Sequence, residues 1–204
     1  MDFRNSTSLD SEQLRRLVLR FTAPFRHDKL TVRVRYSRGA DFSGTCYYRD
    51  ARIFVNLGRH NRYPYAMGTH LAKARSNATH WWRETHLITV ADAYQLALFV
   101  YLHELFHYLV KAAGRNPRRK EAMCDRFAAG ALIDAFGCPV RDAMGRPVAR
   151  ESWDFQDLRR FVAAAPRHEA LAGESLREIP VTIHGIHMPA AAATTSTDRP
   201  KRPE

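Results

Sequence analysis

His103-Glu104-Leu105-Phe106-His107 decides how the rest of this chain is read. On an α-helix, positions i and i+4 stand one turn apart on one face, so His103 and His107 present two imidazoles side by side. Imidazoles so spaced can hold one zinc ion, with the intervening Glu104 beside the water that such an ion binds. The flanking residues favour a helix. From Ala91 to Ala113 there is no glycine or proline, Asp92 suits the positive end of the helix dipole, and Gly114 with Pro117 supplies the stop. Leu96, Phe99, Val100, Phe106, Leu109 and Val110 spread apolar surface around most of the circumference, which predicts a helix central to its domain. Burying His103, Glu104 and His107 there without partners is costly, and a metal satisfies all three.

The next segment, PRRKEAMCDRFAAGALIDAFG from Pro117 to Gly137, reads as a second helix with proline in its first turn and glycine at its end. Glu121 and Asp125 stand at i and i+4 on one face of it, and Ala128 and Leu132 continue that stripe. A catalytic zinc usually takes three protein ligands and keeps a fourth position open. Glu121 is the candidate third ligand. Asp125 is placed to accept the outer N–H of one histidine and so fix its tautomer.

The combination HELFH followed by EAMCDRFAA resembles the gluzincin metallopeptidases, in which the third ligand is a glutamate on the next helix. Among them it is most similar to the ImmA/IrrE type, whose pattern runs H-E-x-x-H, a short gap, then E-x-x-x-(D/N)-x-F-A. The match falls on His103, Glu104, His107, Glu121, Asp125, Phe127 and Ala128, and Phe106 stands where that family usually carries glycine. The resemblance covers roughly residues 90 to 135. It implies that His103, His107 and Glu121 bind Zn2+, that Glu104 is the catalytic base, and that Asp125 supports a ligand histidine. The implied activity is that of a zinc metalloendopeptidase, a hydrolase acting on a protein or peptide substrate. SprT-like proteases share the active helix and often act near DNA, but they carry a third histidine soon after the pentapeptide. None lies between His107 and Pro166 here. A DNA-associated protease and a non-catalytic zinc-fold regulatory protein are the alternative readings, and an intact Glu104 speaks against the second.

The remaining sequence predicts the α+β class: a zincin-like fold with a small mixed or antiparallel sheet packed on the HExxH helix, followed by a ligand-bearing helix. Leu30–Tyr36 alternates apolar and polar residues, and Thr45–Tyr48 and Arg52–Asn56 form two strands around Arg49-Asp50-Ala51. This 45–56 hairpin is the candidate edge for pairing with an extended peptide, an ordinary sheet interior being the alternative. A helix from Leu9 to Phe21 brings Leu14, Leu17, Val18 and Phe21 to one stripe. Residues 58–89 are less regular, with a helical hint over Leu71–Ser76 and with Trp81 and Trp82 expected as buried anchors of a long connection. His60, His70, His80 and His86 follow no metal-ligand spacing and are expected at the surface or in hydrogen bonds. After Gly137, a short hairpin and a helix over Trp153–Ala165, capped by Ser152 or Asp154, complete the pattern.

Length and composition suit one domain over 1–165, an extension over 166–188 and a tail over 189–204 with nothing to bury, expected to be disordered. The pair in Ile183-His-Gly-Ile-His187 carries only a weak ligand signal. No apolar run reaches a membrane span and no charged-then-apolar leader opens the sequence, which predicts no membrane partner. Cys46, Cys124 and Cys138 are scattered, which points to a reducing cytoplasm rather than a disulfide framework. Net charge is +11, with arginine outnumbering lysine 27 to 5. Such a balance is compatible with nucleic acid or an acidic protein as partner. Only Arg115, Arg118, Arg119 and Lys120 form a dense run. Tyr94, Tyr101 and Tyr108 lie on or near the active helix, and none can be ranked as a stabiliser of developing negative charge.

Overall fold

The computed structural model describes residues 1–25, 29–163 and 181–182. In chain order its elements are β1 (Asp2–Asn5), α1 (Ser11–Thr22), β2 (Thr31–Tyr36), β3 (Phe42–Tyr47), β4 (Arg52–Leu57), β5 (Tyr65–Thr69), β6 (Ala74–Ser76) and β7 (Trp81–Arg83). They continue with β8 (His86–Val90), α2 (Ala93–Ala112), α3 (Glu121–Phe136), β9 (Val140–Arg141), α4 (Leu158–Val162) and β10 (Val181–Thr182). Helices and sheets are of mixed order, so the class is α+β. The main sheet runs β1-β2-β4-β3-β10, with β1, β2 and β4 parallel and β3 antiparallel to both neighbours. The expected hairpin is β3–β4, in register from Phe42 opposite Leu57 to Tyr47 opposite Arg52. It lies inside this sheet, because β4 is flanked by β2 and β3 by β10.

Period-two burial explains how the sheet is used. Val32, Val34, Phe42, Cys46, Ile53 and Val55 are buried on one face, where β3 and β4 pack against α2. The opposite face carries Arg35 over the Phe54 ring at 4.3 Å, with Tyr47 edge-on to the same ring. On α2 every residue from Leu96 to Val110 is buried, as its all-round apolar character requires. Asp92 caps its start by accepting from the Gln95 N–H, and Gly114 follows its end at φ +69°. The sheet covers one side of α2, α3 another, and α1 and α4 its flanks.

Several expectations are corrected. The second helix starts at Glu121, not Pro117, because Arg119 adopts φ +56° and breaks any continuation from the proline. Leu71–Ser76 is not helical. Its first carbonyls, Leu71 and Ala72, are taken by Nε and Nη2 of Arg126, and Ala74–Ser76 pairs with Trp81–Arg83. Trp81 and Trp82 are 74% and 44% exposed rather than buried, since β6–β7 is a two-stranded ribbon that joins neither larger sheet. The helix read over Trp153–Ala165 is short: Trp153 is buried after a 3-10 turn over Arg150–Ser152, and Asp157 caps α4. β1 has no counterpart in the sequence reading. Phe106, the bulky residue inside the pentapeptide, lies 5.0 Å from the Phe127 ring and 6.4 Å from Phe161, so it fills the junction of α2, α3 and α4. Ile183–His187 and the 189–204 tail fall outside the described residues, as does 166–188 apart from β10. Among the described residues no helix is long and apolar enough to cross a membrane.

Candidate metal centre

The pentapeptide and α3 meet as their helical spacings require. Glu121 and Asp125 lie one turn apart on α3, and both carboxylates face α2. Asp125 Oδ1 accepts from His103 Nδ1 at 2.8 Å, which fixes that ring with its proton on Nδ1 and turns Nε2 the other way. There Nε2 meets Glu121 Oε2 at 3.2 Å. The second Glu121 oxygen, Oε1, stands 3.3 Å from His107 Nε2. One carboxylate therefore spans both imidazoles, and the three predicted ligands His103, His107 and Glu121 converge. The structure brings Asp125 behind His103, one of the two histidines for which the sequence made it a candidate acceptor.

The electrostatics follow from burial and these contacts. Burial alone pulls the His103 pKa down, but its hydrogen bonds to Asp125 and Glu121 outweigh that and lift it to about 10. Burial pushes the Glu121 carboxyl up, and the two imidazoles overcome it, holding the group at about 2. Asp125 is likewise held well below the usual carboxylate range, its contacts with His103 and His70 outweighing burial. Glu104 has no such compensation. Burial raises it to about 8, against a smaller opposing effect of His103.

Two groups would be better satisfied with a cation beside them. Among the described residues both oxygens of Glu104 and Nδ1 of His107 are buried without hydrogen-bond partners, and His107 Nε2 has only its 3.3 Å ion-pair contact with Glu121 Oε1. Each unsatisfied buried polar atom costs about 1–3 kcal/mol, more when charged. A divalent ion held by His103, His107 and Glu121 would bind His107 Nε2 directly and provide a charge beside Glu104. Two imidazoles and a carboxylate are a donor set that suits zinc. Comparison with family models, curated proteins and solved structures returns no match.

Four further residues complete the surroundings, and the sequence signalled them unequally. Gly44 lies on the buried face of β3, where a Cβ would stand 2.4 Å from Glu104 Oε1. A glycine inside a strand pattern is the usual sign of such close approach. Cys124 is fully buried, and its thiol forms with His103 and His107 a cluster whose donor atoms all lie within 4.8 Å of one another. Its i+3 spacing from Glu121 was legible. His70 donates its backbone N–H to Asp125 Oδ2 at 2.6 Å, and its Nδ1 lies 3.1 Å from the same atom. That contact crosses 55 positions of sequence, so no local spacing could reveal it. Tyr48 places a buried, unpartnered hydroxyl near this cluster, and burial, then the charges of Cys46, Glu104, Cys124 and Glu121, push its pKa far up. The three tyrosines read from the sequence are otherwise engaged in two cases: Tyr94 Oη accepts from Asp10 N, and Tyr101 Oη bonds Thr22 Oγ1.

Proposed function

We propose that this chain is a zinc-dependent metallopeptidase with a zincin-like fold, of the gluzincin type that the HELFH…EAMCDRFAA pattern resembles. The observation that carries the reading is the single Glu121 carboxylate lying 3.2 and 3.3 Å from the Nε2 atoms of His103 and His107, with an unpartnered Glu104 one residue along the helix. When bound, zinc would polarise a water and a substrate carbonyl. His103, His107 and Glu121 would hold it, and Asp125 would keep the His103 ring aimed. Glu104 takes the proton of the attacking water and returns it to the leaving amine. A cation held beside Glu104 would lower its raised pKa toward the ionised form that a base needs. The enclosing α2 residues keep bulk water from competing for that proton.

The test is peptide cleavage against a mixed peptide library, with chelation and zinc replacement. The expected result is cleavage that stops with the metal removed and returns with stoichiometric zinc. Cleavage unaffected by complete metal removal would refute the proposal. A second reading, a protease acting on nucleic-acid-bound protein, is favoured by the β6–β7 ribbon, where exposed Trp82 lies opposite Arg75 in the register. Exposed rings beside guanidinium groups suit base stacking and phosphate contact. Salt-sensitive retention on single-stranded DNA, weakened by Trp82→Ala, is the result that reading requires.

A further inference from the structure

The metal reading leaves one donor unassigned. Cys124 lies three residues after Glu121, on the adjoining face of α3 and deeper in the protein, with no exposure at all. Of the three cysteines it is the one whose sulfur joins both imidazoles within 4.8 Å, while Cys138 donates to Gln95 Oε1 at 3.4 Å, away from the site. Donor atoms around one tetrahedral zinc stand roughly 3.5 Å apart, given metal–nitrogen and metal–sulfur distances near 2.1 and 2.3 Å. A side-chain adjustment of about 1 Å therefore closes the cluster onto one ion. Buried His107 makes no hydrogen bond among the described residues, and its Nε2, 3.3 Å from Glu121 Oε1, suits a cation in the space between these side chains.

We propose that Cys124 is a ligand of the same metal, a thiolate arm of α3 alongside the carboxylate arm of Glu121. On coordination the thiol proton is released to solvent and the sulfur binds as thiolate. The proposal rests on the metallopeptidase reading for the ion itself and adds two consequences. With His103, His107, Glu121 and Cys124 all bound, four protein donors fill a tetrahedral shell, so the ion has no open position until Cys124 or Glu121 withdraws. A soft sulfur donor also biases the site toward zinc or cobalt and away from calcium, magnesium or manganese.

The test loads the full-length protein with one equivalent of cobalt(II) and records its absorption spectrum. The expected result is a thiolate-to-cobalt charge-transfer band in the near ultraviolet. Both Cys124→Ala and Cys124→Ser should lose that band while still binding one cobalt. Glu121→Ala should keep metal and band, and Glu121→Ala with Cys124→Ala should lose metal. Thermal melting checks that each variant is folded, and the wild-type spectrum needs no variant at all. Cobalt bound in the wild type without a charge-transfer band, or with a band unchanged by Cys124→Ala, would overturn the role of Cys124 and leave the metallopeptidase reading standing. Failure of the wild type to bind cobalt or zinc would overturn both.

Discussion

Gly44→Ala tests whether the carboxylate of Glu104 is held in place by the sheet. The added methyl would lie 2.4, 2.6 and 2.8 Å from Oε1, Cγ and Cδ of Glu104. Ordinary carbon contacts begin near roughly 3.5 Å, so about 1 Å of separation must be found. Neither backbone can supply it readily. Gly44 is locked opposite Val55 in the β3–β4 ladder, and Glu104 sits in a helix buried on every side. The Glu104 side chain therefore moves. Overpacking of this kind costs about 1–3 kcal/mol, offset by about 0.4–1 kcal/mol because alanine restricts the unfolded chain more than glycine. A displacement of about 1 Å at a reacting group costs on the order of 100-fold in rate. The expected variant is folded, with stability lowered by about 2.6 kcal/mol at most. It retains one zinc, because none of the three nearest contacts is a ligand atom, and it cleaves peptides about 100-fold more slowly at unchanged KM. Urea melts, metal analysis and steady-state kinetics measure the three quantities. A wild-type turnover number in a folded Gly44→Ala protein would refute the idea that β3 fixes the base.

Other consequences are open to measurement. Asp125→Ala removes the acceptor that orients His103, and zinc affinity measured by competition with a chromophoric chelator should fall about 10–100-fold. Phe106→Ala empties the junction with Phe127 and Phe161, and urea denaturation should show a loss of about 3–5 kcal/mol; a loss below 1 kcal/mol would mean the helices repack without it. His86 is buried with Nδ1 unpartnered, and burial depresses its pKa despite the carboxylates of Glu84 and Asp142. The unfolded chain thus binds a proton more readily than the folded one. Its contribution is constant above the unfolded pKa of about 6.5 and is lost as pH falls below it. His86→Gln should flatten that part of the melting-temperature profile, and an unchanged slope between neutral and mildly acidic pH would contradict the assignment.

What could be read from the sequence was what obeys a helical or strand period. α2 and the pairings of His103 with His107 and of Glu121 with Asp125 follow from helical spacing, and β2 follows from alternation. The reading failed where long-range contacts decide. Arg126 takes the carbonyls of Leu71 and Ala72 from 54 and 55 positions away and so removes a local helix that propensity suggested. Trp81 and Trp82 were expected as buried anchors because of their size, yet among the described residues their ribbon joins neither larger sheet. His70 reaches Asp125 only through the fold. Cys124 is the instructive case: its spacing from Glu121 was plain, but a buried cysteine is ordinary packing until two imidazoles are seen beside its sulfur.

Glu104 as a base next to a metal held by other residues is open to one direct measurement. Glu104→Gln keeps the side chain's size while removing its ability to take a proton. Metal content and peptide cleavage should be measured on the same preparations of wild type and variant. One zinc per chain is expected in both, and cleavage in the wild type alone. Equal cleavage by the zinc-loaded variant, or a wild type that binds no zinc, would contradict it.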